Sequence, residues 1–261
     1  MSINPALLPT FLVAMLLFVT GILIKKQCPR VAIVLGVILS IPATLGILYY
    51  THLFDNWRWF YEARTLRFSE LSFAGIGFLG GTVYEWQQPE NWRERAFMPL
   101  ASAVVLLVPF MKPLLDPLDL SKLQNRCSGP VCLQSTFSTC GPASAATILR
   151  TQGQEVTERD LAIDSLTYRG GTEAWYLARA LRRRGNNAEF IFSEGDNFPY
   201  PAVAGVRLPG GAGHFIALLK TGDGAATIVD PLSGKLTIPM VDLRKRYHFT
   251  GFFLKITLAE H

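Results

Sequence analysis

The apolar positions of this chain fall in two regimes. Over roughly the first hundred residues they form long uninterrupted runs, and after about Ser121 they break into short stretches separated by charge and turn residues. Leu7 to Ile24 is apolar over a membrane-spanning length and closes on Lys25-Lys26. The lysines follow the run instead of preceding it, so it reads as a retained transmembrane helix and not as a signal peptide. Val31 to Tyr50 is a second run, starting after Arg30 and ending in Tyr49-Tyr50, a pair suited to the headgroup region. Leu71 to Tyr84 reaches spanning length only if extended back to Phe68, and is otherwise an interfacial segment. Its Gly77 and Gly81 form a small-xxx-small pair that lets helices approach closely. Phe97 to Leu115 is the fourth candidate, bent by Pro99, Pro109 and Pro113. The pattern thus predicts a transmembrane region over 1–120, with about four helices near 7–24, 31–50, 68–84 and 97–115, and a folded domain over 121–261.

Within that domain the pattern predicts helices first and strands later. Small and apolar residues from Ala143 to Leu149 recur at helical spacing behind Gly141-Pro142, so a helix should open at Cys140. Thr157 looks like a capping hydroxyl, and Glu173 to Arg184 reads as a helix stopped by Gly185. The Arg182-Arg183-Arg184 run at its end reads as a solvated helix terminus. Ala188–Phe192, Ala202–Arg207, Phe215–Leu219, Ala225–Val229 and Gly251–Leu258 read as strands, and Lys220 to Ala225 as a hairpin turn. Gly170-Gly171 and Gly210-Gly211 are turn elements. A helical part followed by an antiparallel sheet is an α+β fold.

Composition agrees with a membrane protein: 49% hydrophobic, only 17% charged, and a mean hydropathy of +0.25 over 261 residues. The net charge of +5 does not indicate nucleic acid. Trp57, Trp59, Phe60 and Tyr61 interleave with Arg58, Arg64 and Arg67, but between two hydrophobic segments they read as an interfacial belt touching membrane lipid. There is no basic tail and no phosphate-binding Gly-x-x-x-x-Gly-Lys-Ser/Thr loop.

The chemistry concentrates at Gln134-Ser-Thr-Phe-Ser-Thr-Cys140-Gly-Pro. A thiol at a helix N-terminus is activated, because unpaired N–H groups and the helix dipole favour the thiolate. Gln134 precedes it as a candidate oxyanion donor. His214, at the start of a strand behind Gly210-Gly-Ala-Gly, is the candidate base. Asp230, ending the next strand, is brought near His214 by the hairpin and can orient its ring.

Together these residues resemble the bacteriocin-processing, papain-like cysteine peptidases, family thirty-nine of the cysteine peptidases. The resemblance covers about Gln124 to Leu258. It rests on Gln134 six positions before Cys140, the Cys-Gly-Pro-Ala-Ser continuation, Gly-His-Phe at a strand start, and Val229-Asp230-Pro231. It implies a papain-like fold and the roles of oxyanion glutamine, nucleophile, base and orienting carboxylate for Gln134, Cys140, His214 and Asp230. It further implies a peptide or protein substrate with a double-glycine leader, and no cofactor. Family members are often fused to a transporter and an ATP-binding cassette; here a separate ABC-type exporter is the expected partner. Two other activities fit the same residues: a membrane receptor that binds peptide without cutting it, and an acyltransferase that passes the acyl group to an amine.

The positive-inside rule puts Lys25, Lys26 and Arg30 in the cytoplasm. Four spans then place the peptidase domain on the outer face of the cell (inner) membrane, and three spans place it in the cytosol. Cys127 and Cys132 flank Ser128-Gly-Pro-Val131, a turn that a disulfide can close on an oxidising side. Two free thiols are the alternative; zinc lacks a second ligand pair. Cys28 is a juxtamembrane cysteine open to lipid modification.

Overall fold

The computed structural model describes residues 3–48, 53–193, 198–222 and 224–259. The chain forms two compact units. One comprises 3–55 and 67–114; the other comprises 56–66 and 115–261.

The first unit holds the long apolar runs. α1 (Leu7–Gln27) and α2 (Pro29–Leu48) form the expected hairpin; Tyr49-Tyr50 lie outside the described residues. The chain then makes α3 (Arg58–Thr65), which belongs to the second unit. Back in the first unit come a 3₁₀ helix over Ser69–Ala74, α4 (Gly75–Gln87) and α5 (Trp92–Leu107). A 3₁₀ turn over Val108–Phe110 and α6 (Met111–Leu115) follow. Among the described residues, three helical stretches are long and apolar enough to cross a membrane: Leu7–Gln27, Pro29–Leu48 and Trp92–Leu115.

The Ser69–Gln87 segment is not one of them, because Ser69, Glu70, Glu85, Gln87 and four glycines dilute its apolar content. Its packing follows α1 nonetheless. Gly77 lies against Ala14 and Gly81 against Phe18, so close that a Cβ on either glycine would strike the α1 backbone. At one end Asn4 Nδ2 donates to Glu70 Oε1 at 3.2 Å, and at the other Lys26 Nζ pairs with Glu85 Oε2 at 3.7 Å. Contacts that rise together along both sequences mean the segment runs parallel to α1, from end to end. α2 runs the other way, with Leu39 against Gly75 and Gly36 against Leu79.

The second unit is α+β. α7 (Cys140–Thr151), α8 (Glu158–Asp164) and α9 (Ala174–Arg183) precede a six-stranded antiparallel sheet in the order β3-β8-β4-β5-β6-β7. Its strands are β3 (Asn186–Phe192), β4 (Ala202–Arg207), β5 (Gly213–Gly222), β6 (Ala225–Asp230), β7 (Gly234–Pro239) and β8 (His248–Leu258). A two-stranded ribbon, β1 (Cys127–Ser128) and β2 (Val131–Cys132), stands before α7. Period-2 alternation divides the sheet into two apolar faces. Ile216, Leu218, Ile228 and Phe253 pack with Leu243 and Tyr247 around α10 (Met240–Arg246). Residues 140 to 149 are all buried, so α7 is an interior helix. Thr157 and Asp160 form a capping box that starts α8.

Three expectations need correction. Residues 56–66 do not face outward throughout: Phe60 and Tyr61 are buried and α3 joins the second unit, while Trp57 and Trp59 are half exposed. That unit also takes up the chain at Leu115 instead of residue 121. The arginine run ending α9 is not simply solvated. Arg182 binds Glu62 at 2.8 Å and Arg184 binds Asp164 at 2.6 Å, because neighbouring elements put carboxylates within reach. β7 and α10 had no counterpart in the expected elements; Gly234–Pro239 alternates only between half-buried and exposed positions, which leaves a weak strand signal.

Candidate active site

Each candidate side chain is placed by a local device. Cys140 is the first residue of α7, and the Ala143 N–H already bonds back to the Thr139 carbonyl at 3.0 Å. Ser138 Oγ donates to the Arg169 carbonyl and Thr139 Oγ1 to the Thr136 carbonyl, which fixes the turn before the thiol. One turn into the helix, Ser144 Oγ donates to the Phe215 carbonyl at 3.1 Å. That bond ties the nucleophile's helix to the residue after His214.

His214 and Asp230 meet through strand register. β5 and β6 pair Ala217 with Val229, so Asp230 falls opposite Ile216 and His214 is its diagonal neighbour on the same face. His214 Nε2 and Asp230 Oδ1 are 2.9 Å apart. The predicted hairpin is thus present, with residue 223 at its tip outside the described residues. Asp230 has two further donors. The Leu232 N–H reaches Oδ1 at 2.9 Å and the Tyr247 hydroxyl reaches Oδ2 at 2.7 Å.

Cys140, His214, Asp230 and Gln134 are 8%, 5%, 4% and 6% exposed, so their charges interact with little screening. Burial by itself lowers the His214 pKa, but hydrogen bonds to Asp230 and Cys140 overcome it and raise the value to about 9. Burial likewise raises Asp230, yet the donors His214, Leu232 and Tyr247 bring it down to about 2. Burial and then the hydrogen bond to Asp230 push Tyr247 up to about 12, which keeps its hydroxyl a donor. With Nε2 committed to Asp230, the other ring nitrogen of His214 is the one left for Cys140.

Gln134 is tied to the same place by its backbone, whose N–H donates to the Pro231 carbonyl at 3.0 Å. Its side-chain Nε2 donates to the Thr136 carbonyl at 2.9 Å, and its Oε1 is buried without a hydrogen-bond partner. An NH₂ group has two hydrogens, so one remains for a substrate. Just upstream, Cys127 and Cys132 are joined in a disulfide across β1–β2, and the Cys132 N–H donates to Thr147 Oγ1 of α7 at 3.0 Å. Next to Gln134, Ser135 donates Oγ–H to the fully buried Glu158 at 2.6 Å.

Sequence reasoning missed Tyr247, Glu158, Ser135 and Ser144 as parts of this architecture. Tyr247 follows a run of exposed basic residues, with no local pattern to mark it. Glu158 carried a faint signal as a carboxylate in the first turn behind Thr157, although its partner Ser135 is distant in sequence. Among the described residues no cluster of three or more His, Cys, Asp or Glu side chains is placed to hold a metal ion.

A buried thiol at a helix start, electrostatically paired with a buried histidine on an antiparallel sheet, is a papain-like arrangement. The chain belongs to the peptidase C39 family, whose model matches residues 128–260. It is similar to uncharacterized proteins of two methanogens. The Methanothermobacter marburgensis protein is 32% identical over 40% of this chain and 73% of its own length. That of Methanothermobacter thermautotrophicus is 29% identical over 41% and 75%. Among solved structures it is similar to a double glycine motif protease from an AMS/PCAT transporter, crystallised with its leader peptide. That match has 26% identity, 52% of this chain and 96% of that one, and a TM-score of 0.44. The peptidase domain of Streptococcus ComA, a bi-functional ABC transporter of a quorum-sensing pathway, matches at 18% identity over 51% and 100%, with a TM-score of 0.44.

Proposed function

We propose that this chain is a membrane-anchored cysteine peptidase using Cys140, His214, Asp230 and Gln134. One observation carries the reading: His214 lies 2.9 Å from Asp230 and its pKa is raised to about 9 by Asp230 and Cys140, so at neutral pH it is the imidazolium of a thiolate–imidazolium pair with Cys140. The Cys140 thiolate attacks the substrate carbonyl carbon. The oxyanion that forms is met by the Cys140 backbone N–H and the second Gln134 amide hydrogen. His214 gives its proton to the leaving amine as the C–N bond breaks, leaving an acyl-thioester. His214 then takes a proton from water, which attacks the thioester, and the returned proton regenerates the Cys140–His214 pair.

The substrate class comes from the family resemblance, which implies double-glycine leaders, with a separate ABC-type exporter as partner. Small residues before the scissile bond let the backbone approach a thiol recessed at a helix start. The full chain in detergent, offered a peptide library, is expected to cut after Gly-Gly or Gly-Ala. Cleavage after bulky or charged residues, with Gly-Gly peptides intact, would refute the leader specificity and leave the thiol chemistry standing.

The same proposal places the peptidase unit outside the cytoplasm. α4 adds about 20 Å at 1.5 Å per residue and the 3₁₀ turns about 12 Å more, enough to match a hydrocarbon core of about 30 Å. A segment running parallel to α1 from end to end supports four crossings. Lys25, Lys26, Arg30, Arg93 and Arg95 then share one end of the bundle, the cytoplasmic one by their charge. A disulfide just before Gln134 fits an oxidising compartment. In intact spheroplasts a C-terminal tag should be digested by added protease. A protected tag, cut only after lysis, would mean three crossings.

A further inference from the structure

α3 is an eight-residue helix, too short to persist alone, and its chain neighbours on both sides belong to the membrane-helix unit. What holds it is the face formed by α9, β3 and β8. Arg179 on α9 caps its end, donating from Nη2 to the Arg64 carbonyl at 2.7 Å and from Nε to the Thr65 carbonyl at 3.1 Å. Glu62 pairs with Arg182 at 2.8 Å and Arg58 with Glu189 at 3.1 Å.

The residue this docking delivers is Tyr61, only 7% exposed. Its ring centroid lies 5.3 Å from those of Phe190 and Phe192, 6.0 Å from Trp175 and 5.8 Å from Phe252. Phe252 in turn stands 5.8 Å from Phe215. Gly205, paired with Phe215 in the β4–β5 register, lies under Thr250: a Cβ there would meet Thr250 Oγ1 at 2.6 Å and would also touch the Phe252 side chain at 3.4 Å. Phe215 is bonded to His214 in the chain, and its carbonyl accepts from Ser144 of α7. Its ring edge would lie 3.3 Å from a Cβ placed on Gly141, next to Cys140. Two ring contacts therefore join Tyr61 to a wedge that touches the neighbours of both nucleophile and base.

We propose that Tyr61 is a positioning residue for the Cys140–His214 pair, acting through Phe252 and Phe215. This rests on the peptidase reading above. Close-packed rings transmit a change of volume to their neighbours, and a misplacement of about 1 Å at a reacting pair can lower a rate about 100-fold. The catalytic unit is accordingly discontinuous in sequence: a fragment starting at Leu115 lacks a side chain that its active site uses.

The test compares full-length wild type, Tyr61→Phe, Tyr61→Leu, Phe215→Leu and the Tyr61→Leu/Phe215→Leu double variant in detergent. Turnover of a Gly-Gly peptide is one readout. The other is the pH dependence of Cys140 alkylation by iodoacetamide, followed on its own peptide by mass spectrometry, which needs no turnover. Tyr61→Leu should lower kcat about 10-fold with KM within about twofold, and displace the alkylation profile. Tyr61→Phe, which keeps the ring, should restore both. The double variant should be no worse than Phe215→Leu alone, as expected when two residues act in series. Unchanged kcat and alkylation profile in Tyr61→Leu, or strictly additive effects in the double variant, would overturn the proposal. A wild type that cuts no peptide would overturn the peptidase reading alone, because the alkylation profiles still decide the role of Tyr61.

Discussion

Cys140→Ala is expected to lower kcat/KM for peptide cleavage by about 10⁴-fold or more, because no other group can supply the acyl-forming atom. The remaining free thiol among the described residues, Cys28, lies in the other compact unit on an exposed position. His214→Ala should cost about as much, and the double variant no more than either alone, since nucleophile and base act as one unit and their losses do not add. The measurement is cleavage of a fluorogenic leader peptide by the full chain in detergent, alongside labelling by a thiol-directed peptide probe. The probe should mark wild type and leave Cys140→Ala unmarked. Retention of more than about one per cent of the activity in Cys140→Ala would remove Cys140 from the chemistry. A wild type that binds the probe peptide reversibly without cutting it would favour a receptor.

Asp230→Ala carries the second large effect, on stability and pH dependence together. The variant leaves His214 Nε2, the Leu232 N–H and the Tyr247 hydroxyl without their shared acceptor in a site under a tenth exposed. Breaking a buried pair by removing one partner costs about 3–5 kcal/mol, which for a domain of this size lowers the unfolding temperature by about 10 °C. Asp230 has a folded pKa depressed to about 2, so its contribution is present above the unfolded value and lost as pH falls through about 2. His214 has the opposite sign. Its pKa is raised to about 9, so its contribution is complete below the unfolded value and lost as pH rises through about 9. The alkaline limb of kcat/KM in wild type should accordingly lie near pH 9, where the imidazolium is lost. Asp230→Asn keeps most of the hydrogen-bond geometry and removes the charge. It should melt close to wild type while its alkaline limb moves to lower pH. An unmoved limb in Asp230→Asn would show that the carboxylate charge does not sustain the imidazolium.

Much of the site could be read from the chain because it depends on local rules. Gly141-Pro142 and the small residues behind it mark a helix start at Cys140, which the structure places as the first residue of α7. His214 and Asp230 sit at matching ends of two strands joined by a short turn, so register alone brings them together. Tyr247 could not be read this way. Its value to Asp230 arises only after β7 and α10 have turned the chain back across the sheet.

α3 shows where local reading fails most instructively. Aromatic and basic residues between two apolar runs have the composition of a membrane interface, and the same residues also suit a protein face rich in phenylalanine. Which surface Tyr61 meets is decided by a phenylalanine cluster more than a hundred residues downstream, and no window on the sequence contains both partners.

The sequence by itself therefore determined what depends on periodicity and short spacing: the apolar helices, the α+β order of the second unit, the helix-start thiol, and the hairpin linking base and carboxylate. The tertiary structure alone decided what depends on long-range packing: the parallel course of Ser69–Gln87 along α1, the docking of α3, and the third donor on Asp230. The physical reason is the range of the forces involved. Backbone hydrogen bonds and amphipathic patterns act within a few residues, whereas close packing and burial join side chains irrespective of their separation along the chain.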